Sequence, residues 1–341
     1  MDKKVLVTDY VWPSVEPERA VLARAGVELV VAPDGSEETL ASLARDVDGI
    51  LTCFAKVTDK VVRAAERCVV IGRYGVGVDN IAVDTATELG IAVTYVPDYC
   101  VDEVSDHVMA LLLTWNRRIA LFDSSVKTTG WGSVPLTMRM MRLRGKKLGI
   151  IGFGRIGRAV CPKALAFGFE VLASDPYLSA EVAAEHGARM VDLATLLKES
   201  DFVTLHSPLT PETLNLIGKS ELEMMKPDAF LINAARGPLI DEDTLYDALK
   251  NGQIAGAGVD VLVDLAPPLD HPLLGLDNMV VTPHVAFFSQ EATLELEERA
   301  AGEVAQVLQG RMPDNLVNPD VLSHPKPRHR LPAPCKRTDK R

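Results

Sequence analysis

The sequence predicts an α/β protein with two doubly wound parallel-sheet domains, and three observations support this fold class. The chain has 341 residues, which favours two domains at about 150 residues each. Short apolar runs alternate with amphipathic helical patterns, as is typical of parallel sheets covered by helices. A second series of this kind begins at residue 147 and opens on a glycine-rich loop.

The first series occupies about the first 100 residues. Its strands are predicted at the apolar runs 5–7, 27–31, 49–51 and 69–72. A longer helix is predicted at 101–120, where apolar residues recur at helical spacing.

The second series supplies the rest of the predicted elements. Its strands are expected at 148–151, 170–174, 202–205, 230–233, 256–261 and 279–282, and a helix at 290–308. From about residue 322 the chain is rich in proline and basic residues and lacks periodicity, so residues 322–341 are predicted to form a disordered basic tail.

Composition and charge narrow the functions that are possible. The net charge of −11 argues against binding to nucleic acid or to an anionic membrane surface. No apolar run approaches the ~18 residues that cross a bilayer, and the first residues lack the pattern of a secretory signal. The five cysteines are scattered without a CxxC pair, which indicates reduced thiols and neither a disulfide framework nor a zinc site. We therefore expect a cytoplasmic protein without a metal.

The sharpest motif is GxGxxG, formed by Gly152, Gly154 and Gly157 between a predicted strand and a predicted helix. The first glycine permits a tight turn, the second lets the backbone approach a pyrophosphate, and the third allows close packing of helix and strand. The helix N-terminus at Arg155 and Ile156 offers free N–H groups to the phosphates. The motif therefore predicts a dinucleotide-binding domain of the Rossmann type.

Asp175 follows the next predicted strand, 18 residues after Gly157. An acidic residue at this distance accepts hydrogen bonds from the ribose hydroxyls and repels a 2′-phosphate, so NAD is predicted in preference to NADP. The alternative is a glycine-rich turn with an aspartate that only caps it.

Other strand ends carry groups suited to an anionic substrate beside a nicotinamide. Ligands of parallel sheets bind at the carboxyl ends of the strands, so these groups are expected to converge. They are His206 and Pro208, then Ala234, Ala235 and Arg236, then Asp260, and finally His284. For His206, the alternative interpretation is a purely structural role.

Several motifs in this order resemble the D-2-hydroxyacid dehydrogenase family, nearest the branch that contains the C-terminal-binding proteins. The resemblance rests on GVGVDNI at 75–81, DYCVDEVSDH at 98–107, the glycine loop, NAARG at 233–237, GVDV at 258–261 and TPHVA at 282–286. It implies a flavodoxin-like substrate domain at 1–100 and 290–321, with the Rossmann domain at 101–289 inserted in it. It also implies a homodimer.

The resemblance implies roles for three residues at the strand ends. Arg236 of NAARG would hold the substrate carboxylate, a task that suits a planar guanidinium. His284 of TPH would be the general acid and base, because its reference pKa is about 6.5. Asp260 would orient the carboxamide of nicotinamide.

Further residues are implied to line the substrate site. The backbone of Val76 and Gly77 would face the carboxylate, and Arg73 would add a second positive charge, unless it forms only a surface ion pair. Phe287 and Phe288 follow His284 and are expected to wall the pocket, with a place in the core as the alternative.

One departure from the family pattern concerns the partner of His284. The family's glutamate is expected five positions after Asp260, and that position holds Leu265. Since a buried carboxylate raises the pKa of a neighbouring imidazole, His284 is predicted to be a weaker base. Three explanations remain open: Asp264 takes the role, the substrate differs, or hydride chemistry has been lost.

The sequence thus predicts an NAD-dependent oxidoreductase that acts on a small 2-hydroxy or 2-oxo acid of D configuration. One alternative is a dehydrogenase of a phosphorus oxyanion or another compact anion. The other is an NAD(H)-responsive, corepressor-like binding protein with little turnover.

Overall fold

The computed structural model describes residues 3–132, 140–328 and 331–332. Within these ranges the chain forms two compact units. The first takes in the described residues up to Tyr99 and from Ser289 onward, and the second those from Cys100 to Phe288. The functional names predicted for the two domains stay proposals.

Twelve strands form the two sheets. They are β1 Lys3–Val7, β2 Val27–Val31, β3 Gly49–Thr52, β4 Val70–Arg73, β5 Ala92–Thr94, β6 Lys147–Ile151, β7 Glu170–Ser174, β8 Ala188–Met190, β9 Phe202–Leu205, β10 Phe230–Asn233, β11 Gly256–Val259 and β12 Met279–Val281. The α-helices are α1 Glu16–Arg24, α2 Glu37–Leu43, α3 Asp59–Ala64, α4 Val83–Glu88, α5 Val101–Arg117, α6 Ile119–Thr129, α7 Arg155–Ala166, α8 Ala180–Glu185, α9 Leu193–Glu199, α10 Lys219–Met224, α11 Glu242–Lys250 and α12 Gln290–Leu308.

The first unit contains a parallel sheet with the strand order β2-β1-β3-β4-β5. Its central strands are fully buried, because helices cover both faces. Helix α12 packs closely on one face, where a Cβ on Gly72 would lie only 2.6 Å from the Val304 side chain. The chain therefore returns to complete this unit after forming the other.

The second unit contains a parallel sheet with the order β12-β11-β10-β9-β6-β7-β8. Strand β6 pairs with β7 on one side and with β9 on the other, so the direction of winding reverses between β6 and β9. Ligands of such sheets bind in the crevice outside the carboxyl ends at this reversal. The predicted fold class, two doubly wound parallel-sheet domains, is confirmed.

The long helix predicted at 101–120 ends earlier. Arg118 adopts a left-handed conformation with φ 53°, which separates α5 from α6. Its guanidinium lies 4.6 Å from the Trp115 ring, so a cation–π contact stabilises the break. No residue of helix α6 is buried against the rest of the chain.

The predicted disordered tail is wrong for residues 322–328. The Arg328 N–H donates to the Gly90 carbonyl at 3.2 Å, and its Nη1 donates to the carbonyls of Ala65 and Cys68. The carbonyls that bind Arg328 lie near the ends of α3 and α4. These contacts order the proline- and arginine-rich segment, and hydrophobic periodicity in the sequence does not reveal them. The tail residues 329–330 and 333–341 lie outside the described residues.

The described part of the chain lacks two features. None of its helices is long and apolar enough to cross a membrane. It also contains no group of three or more His, Cys, Asp or Glu residues arranged to hold a metal ion.

Candidate active site

The glycine loop joins β6 to α7 at the reversal point of the second sheet. Each of its three glycines is required for a different structural reason. Gly152 has φ +86°, and a Cβ on it would lie 2.8 Å from the His206 carbonyl carbon. A Cβ on Gly157 would lie 2.4 Å from the Gly152 oxygen. By contrast, apart from Gly154 and its two neighbours in the chain, no atom of the described residues comes within 4 Å of a Cβ built on Gly154.

The open side at Gly154 is what a bound pyrophosphate requires. Gly154 is the N-cap of α7, and Arg155 and Ile156 begin the helix, so the first N–H groups of a twelve-residue helix border this space. The residues present therefore fit a dinucleotide. It would be held by the backbone at Gly154 and the helix N-terminus.

Asp175 follows β7 and holds the glycine loop. Its Oδ2 accepts the Phe153 N–H at 2.9 Å, and its Oδ1 accepts the Tyr177 N–H at 2.9 Å. Asp175 therefore does cap the glycine-rich turn, which was the alternative role. Each of its carboxylate oxygens can still accept a further hydrogen bond. The contact with the ribose stays a prediction.

His206 follows β9 beside Gly152. Its Nε2 lies 3.0 Å from Thr204 Oγ1, and burial lowers the pKa of His206 to about 3. The imidazole is therefore neutral near pH 7 and is unsuited to donate a catalytic proton. Pro208 lies two residues on, and its carbonyl accepts the Thr213 hydroxyl at 2.6 Å. Contacts of His206 and Pro208 with the cofactor stay predictions.

Arg236 stands in a turn that Asn233 shapes at the end of β10. The Asn233 Nδ2 donates to the Arg236 carbonyl at 2.8 Å, and its Oδ1 accepts the Ala235 N–H at 3.0 Å. The Arg236 Nη1 donates to the Ala235 carbonyl at 2.8 Å. A Cβ on Gly237 would lie 2.1 Å from the Leu262 carbonyl carbon, so this turn is in close contact with the segment after β11.

Ala234 and Ala235 are half-buried in the same turn. The N–H and the carbonyl of Ala235 are both engaged within this turn, by Asn233 and Arg236. The contact of the two alanines with the cofactor stays a prediction.

His284 follows β12 in a turn that Asp260 holds. Asp260 is only 1% exposed, and its carboxylate accepts N–H groups from Val285 at 3.0 Å and from Ala286 at 2.8 Å. Its backbone carbonyl accepts the His284 N–H at 2.7 Å. Thr282 Oγ1 donates to the Asp260 carboxylate at 2.5 Å.

These bonds maintain an unusual backbone conformation. His284 has φ 54°, which is uncommon for a residue with a Cβ and is typical of functional sites. The structure therefore brings Asp260 and His284 together. It assigns Asp260 to the turn, and the contact with the nicotinamide carboxamide stays a prediction.

The segment after Asp260 carries the departure at Leu265. Leu265 is 53% exposed, and Asp264 is also exposed. The Asp264 Oδ1 accepts the Ala266 N–H at 2.9 Å. Glu242 anchors the segment by accepting the Val263 N–H at 2.6 Å, and it lies 3.6 Å from His271 Nε2.

Phe287 and Phe288 differ in their surroundings. The Phe287 ring lies 6.2 Å from the His284 ring in a T-shaped contact, which places it beside the histidine. Phe288 is 56% exposed, so a place in the core is excluded for it.

The remaining predicted residues belong to the first unit. Arg73, at the end of β4, is 7% exposed, and its Nε donates to Asn80 Oδ1 at 3.2 Å. The Asn80 Nδ2 in turn donates to the Cys53 and Ala55 carbonyls. Arg73 is therefore buried, and its role at the substrate stays a prediction. Val76 is 41% exposed, and Gly77 is half-buried.

Some residues with clear contacts at the site were not predicted. They are Asn233 and Thr282, which shape the two turns, Glu242, which anchors the segment at 263, and His107, which bonds Thr282. Asn233 and Thr282 stand inside the motifs NAARG and TPHVA, so the motifs contained the signal.

A reversal point with a glycine loop, followed by an acidic residue at the next strand end, defines a dinucleotide-binding domain. Residues 109–286 match the family model described as D-isomer specific 2-hydroxyacid dehydrogenase, NAD binding domain. The chain belongs to this family. The resemblance stated for the family and the prediction of NAD as cofactor are both confirmed; the nearer likeness to the C-terminal-binding branch stays a prediction.

Named relatives agree with this assignment. The D-3-phosphoglycerate dehydrogenase of Methanocaldococcus jannaschii is 42% identical over 92% of this chain and 59% of its own length. The glyoxylate reductase of Thermococcus litoralis is 41% identical over 84% of this chain and 88% of its own. The chain therefore spans less than two thirds of the first relative and most of the second.

A solved structure shows the same likeness. D-lactate dehydrogenase from Aquifex aeolicus, complexed with NAD and lactic acid, has a TM-score of 0.83 at 28% identity, over 92% of this chain and 99% of that one.

Proposed function

We propose that the protein is an NAD-dependent dehydrogenase that interconverts a small 2-oxo acid and the corresponding D-2-hydroxy acid. The observation that carries this proposal is the turn after β12, where Asp260 holds His284 in a left-handed conformation at the carboxyl edge that also carries the glycine loop. The names of the relatives, glyoxylate reductase and D-3-phosphoglycerate dehydrogenase, support small 2-oxo acids as the substrate class.

Arg236 anchors the substrate carboxylate in this proposal. A guanidinium offers parallel N–H groups that match a carboxylate, and Asn233 limits how far the turn can move. Arg73 and the backbone at Val76 and Gly77 are proposed to bind the same anion. The burial of Arg73 supports this, because a buried guanidinium gains more from an anion than an exposed one does.

His284 moves the proton. When bound, NAD supplies the hydride donor or acceptor. In reduction the imidazolium of His284 gives its proton to the C2 oxygen as C2 gains the hydride, and in oxidation the neutral imidazole takes that proton back. Phe287 packs beside the imidazole and is proposed to line the pocket for the substrate side chain.

Leu265 is proposed to lower the pKa of His284 relative to a family member with glutamate. We expect Leu265→Glu to stabilise the imidazolium, so that the pH at which 2-oxo acid reduction falls to half rises by about one pH unit. The measurement is NADH oxidation against 2-oxo acids, glyoxylate included, from about pH 5 to 9. Leu265→Gln is the matched control, because it has the same length and no charge. Equal pH profiles for the two variants would show that position 265 does not act on His284.

Asp264 is the proposed replacement for the missing glutamate. Its carboxylate accepts the Ala266 N–H in the structure, so the proposed role depends on a change of this contact. Asp264→Asn is therefore included in the same pH series. A wild-type profile for Asp264→Asn would remove Asp264 from the catalytic groups.

The assay also separates the alternatives. Oxidation of phosphite with NAD and inactivity toward every 2-oxo acid would favour a dehydrogenase of compact anions. Tight NADH binding without turnover of either class would favour a binding protein. Parallel reactions with NADPH test the preference that Asp175 predicts.

A homodimer is also proposed, through the second unit. Helix α6 buries none of its residues, and Ile119, Leu121, Val126 and Trp131 are all exposed, the last at 93%. Exposed apolar residues of this density are typical of an interface. Sedimentation equilibrium should give twice the monomer mass, and Trp131→Asp should shift it toward the monomer; a monomeric wild type would contradict the proposal.

A cytoplasmic location is consistent with the thiols. Cys53, Cys68 and Cys161 are buried and carry free thiols, and burial raises the pKa of Cys53 to about 12. Such thiols suit a reducing compartment, and we keep this location as a proposal.

A further inference from the structure

A chain of polar side chains lies behind the turn that carries His284. His107, on α5, places its Nε2 2.9 Å from Thr282 Oγ1, and Thr282 Oγ1 lies 2.5 Å from Asp260 Oδ1. His107 Nε2 is itself 3.6 Å from Asp260 Oδ1. We propose that His107 and Thr282 are positioning residues that act through Asp260 to hold His284 in its working orientation. This inference rests on the proposed function.

The direction of each hydrogen bond follows from the available protons. A threonine hydroxyl has one proton, and Thr282 donates it to Asp260 Oδ1. Thr282 Oγ1 then accepts from His107, whose Nε2 must carry a proton. The chain therefore runs in one direction, from His107 to Thr282 to Asp260.

This direction matters because Asp260 is the residue that holds the turn. One oxygen of its carboxylate accepts from both Thr282 and the Val285 N–H, and the other accepts from the Ala286 N–H. Rotation of the carboxylate would release these N–H groups. A left-handed φ at His284 persists only when the surroundings determine it strongly. Loss of the Thr282 hydroxyl should therefore loosen the turn.

Helix α5 carries His107, the first side chain in this series of hydrogen bonds. Its residues Val104, Val108 and Leu111 are buried in the core of the second unit, while the His107 side chain is 20% exposed and turned to the sheet edge. Helix α5 also contacts β10, β11 and β12, the strands that lead to Arg236, Asp260 and His284. A bond from this helix thus ties the turn to a buried element that packs against all three of these strands.

The test compares variants that remove or keep one hydrogen bond. Thr282→Val and His107→Ala remove it, whereas Thr282→Ser keeps the hydroxyl and His107→Gln keeps an amide N–H at a similar reach. Thr114→Val, which also removes a half-buried hydroxyl from α5, is the matched control. We expect the first two variants to lower kcat on the order of tenfold, with the KM for NADH changed by less than about twofold. The conservative variants and the control should retain wild-type kcat.

Imidazole NMR of His284 supplies a readout that does not need turnover. The resonances, assigned with a His284→Gln sample, should shift and broaden in Thr282→Val and stay in place in Thr282→Ser and Thr114→Val. If Thr282→Ser and Thr282→Val behave alike, or if neither kcat nor the resonances respond to His107→Ala, the inference is overturned. An inactive wild type with the expected NMR shifts would instead contradict the proposed function and leave the positioning role supported.

Discussion

Replacement of His284 by glutamine is expected to lower kcat for 2-oxo acid reduction by about 10²- to 10⁴-fold, the range that general acid catalysis supplies. Glutamine offers an N–H group but does not titrate, so it can bind the C2 oxygen without giving it a proton. The turn should persist, because Asp260 holds it through backbone N–H groups that the substitution leaves in place. Stopped-flow measurement of NADH oxidation under single turnover isolates this step.

Two further measurements make the result specific. The dissociation constant for NADH should change by less than about twofold, because the loss concerns the proton and not the cofactor. His324→Gln, a histidine of the first unit near the end of the chain, is the matched control and should retain wild-type activity. If His284→Gln kept more than about a tenth of the wild-type kcat, the histidine would not be the general acid.

Glu297→Gln is expected to change the pH dependence of stability more than other single changes in the first unit. Burial, together with the carboxylates of Glu18 and Glu298, raises the pKa of Glu297 on α12 from 4.5 to about 7. Glu18 is fully buried and accepts the Trp12 indole N–H at 3.1 Å. Burial raises the pKa of Glu18 as well. Two carboxyl groups are thus held in a site that favours the protonated form.

The sign of the effect follows from proton binding. The folded state binds the Glu297 proton more tightly than the unfolded state does, so the free energy of unfolding falls as pH rises from about 4.5 to about 7. It stays at the lower level above that pH. At 1.36 kcal/mol per pH unit, Glu297 contributes a loss of about 3 kcal/mol. Glutamine is neutral at every pH, so Glu297→Gln should flatten the curve and be more stable than the wild type at pH 8.

Urea unfolding at a series of pH values measures this difference. Glu291→Gln, at an exposed position of the same helix, is the control and should retain the wild-type slope. The same slope in all three proteins would mean that Glu297 is ionised in the folded state near neutral pH. This pair of carboxyl groups adjoins the proposed substrate pocket. Burial and the carboxylates of Glu18 and Glu297 raise the pKa of Tyr74, and Tyr74 directly follows Arg73 in the chain.

The sequence predicted most strands because buried parallel strands are continuous apolar runs. The runs at 148–151 and 202–205 lie in β6 and β9, which form the reversal point. Strands β5 and β8, of three residues each, were not predicted; in β8 the charged Arg189 interrupts the apolar pattern. Strand β11 ends at Val259, earlier than predicted, because Asp260 leaves the ladder to hold the His284 turn.

The glycine loop and the strand-end residues were predictable because their chemistry depends on local spacing. His107 was not assigned to the site, because its partner Thr282 is 175 residues away and the pairing depends on how α5 packs against β12. The contact of Glu242 with the Val263 N–H was unpredictable for a similar reason, since it depends on the path of an irregular segment. Roles in hydride transfer, such as that of Arg236, came from the family resemblance and stay proposals.

Transfer of an isotope tests the central claim most directly. NADH that carries deuterium at C4 of the nicotinamide is incubated with the protein and glyoxylate, pyruvate or larger 2-oxo acids, and the products are resolved by chiral chromatography and mass spectrometry. With both C4 stereoisomers tested, we expect one of them to give a 2-hydroxy acid with one deuterium at C2. The products from pyruvate and larger 2-oxo acids are expected to have the D configuration. Recovery of unchanged 2-oxo acids without deuterium from about pH 5 to 9, by a protein that still binds NADH, would contradict the account.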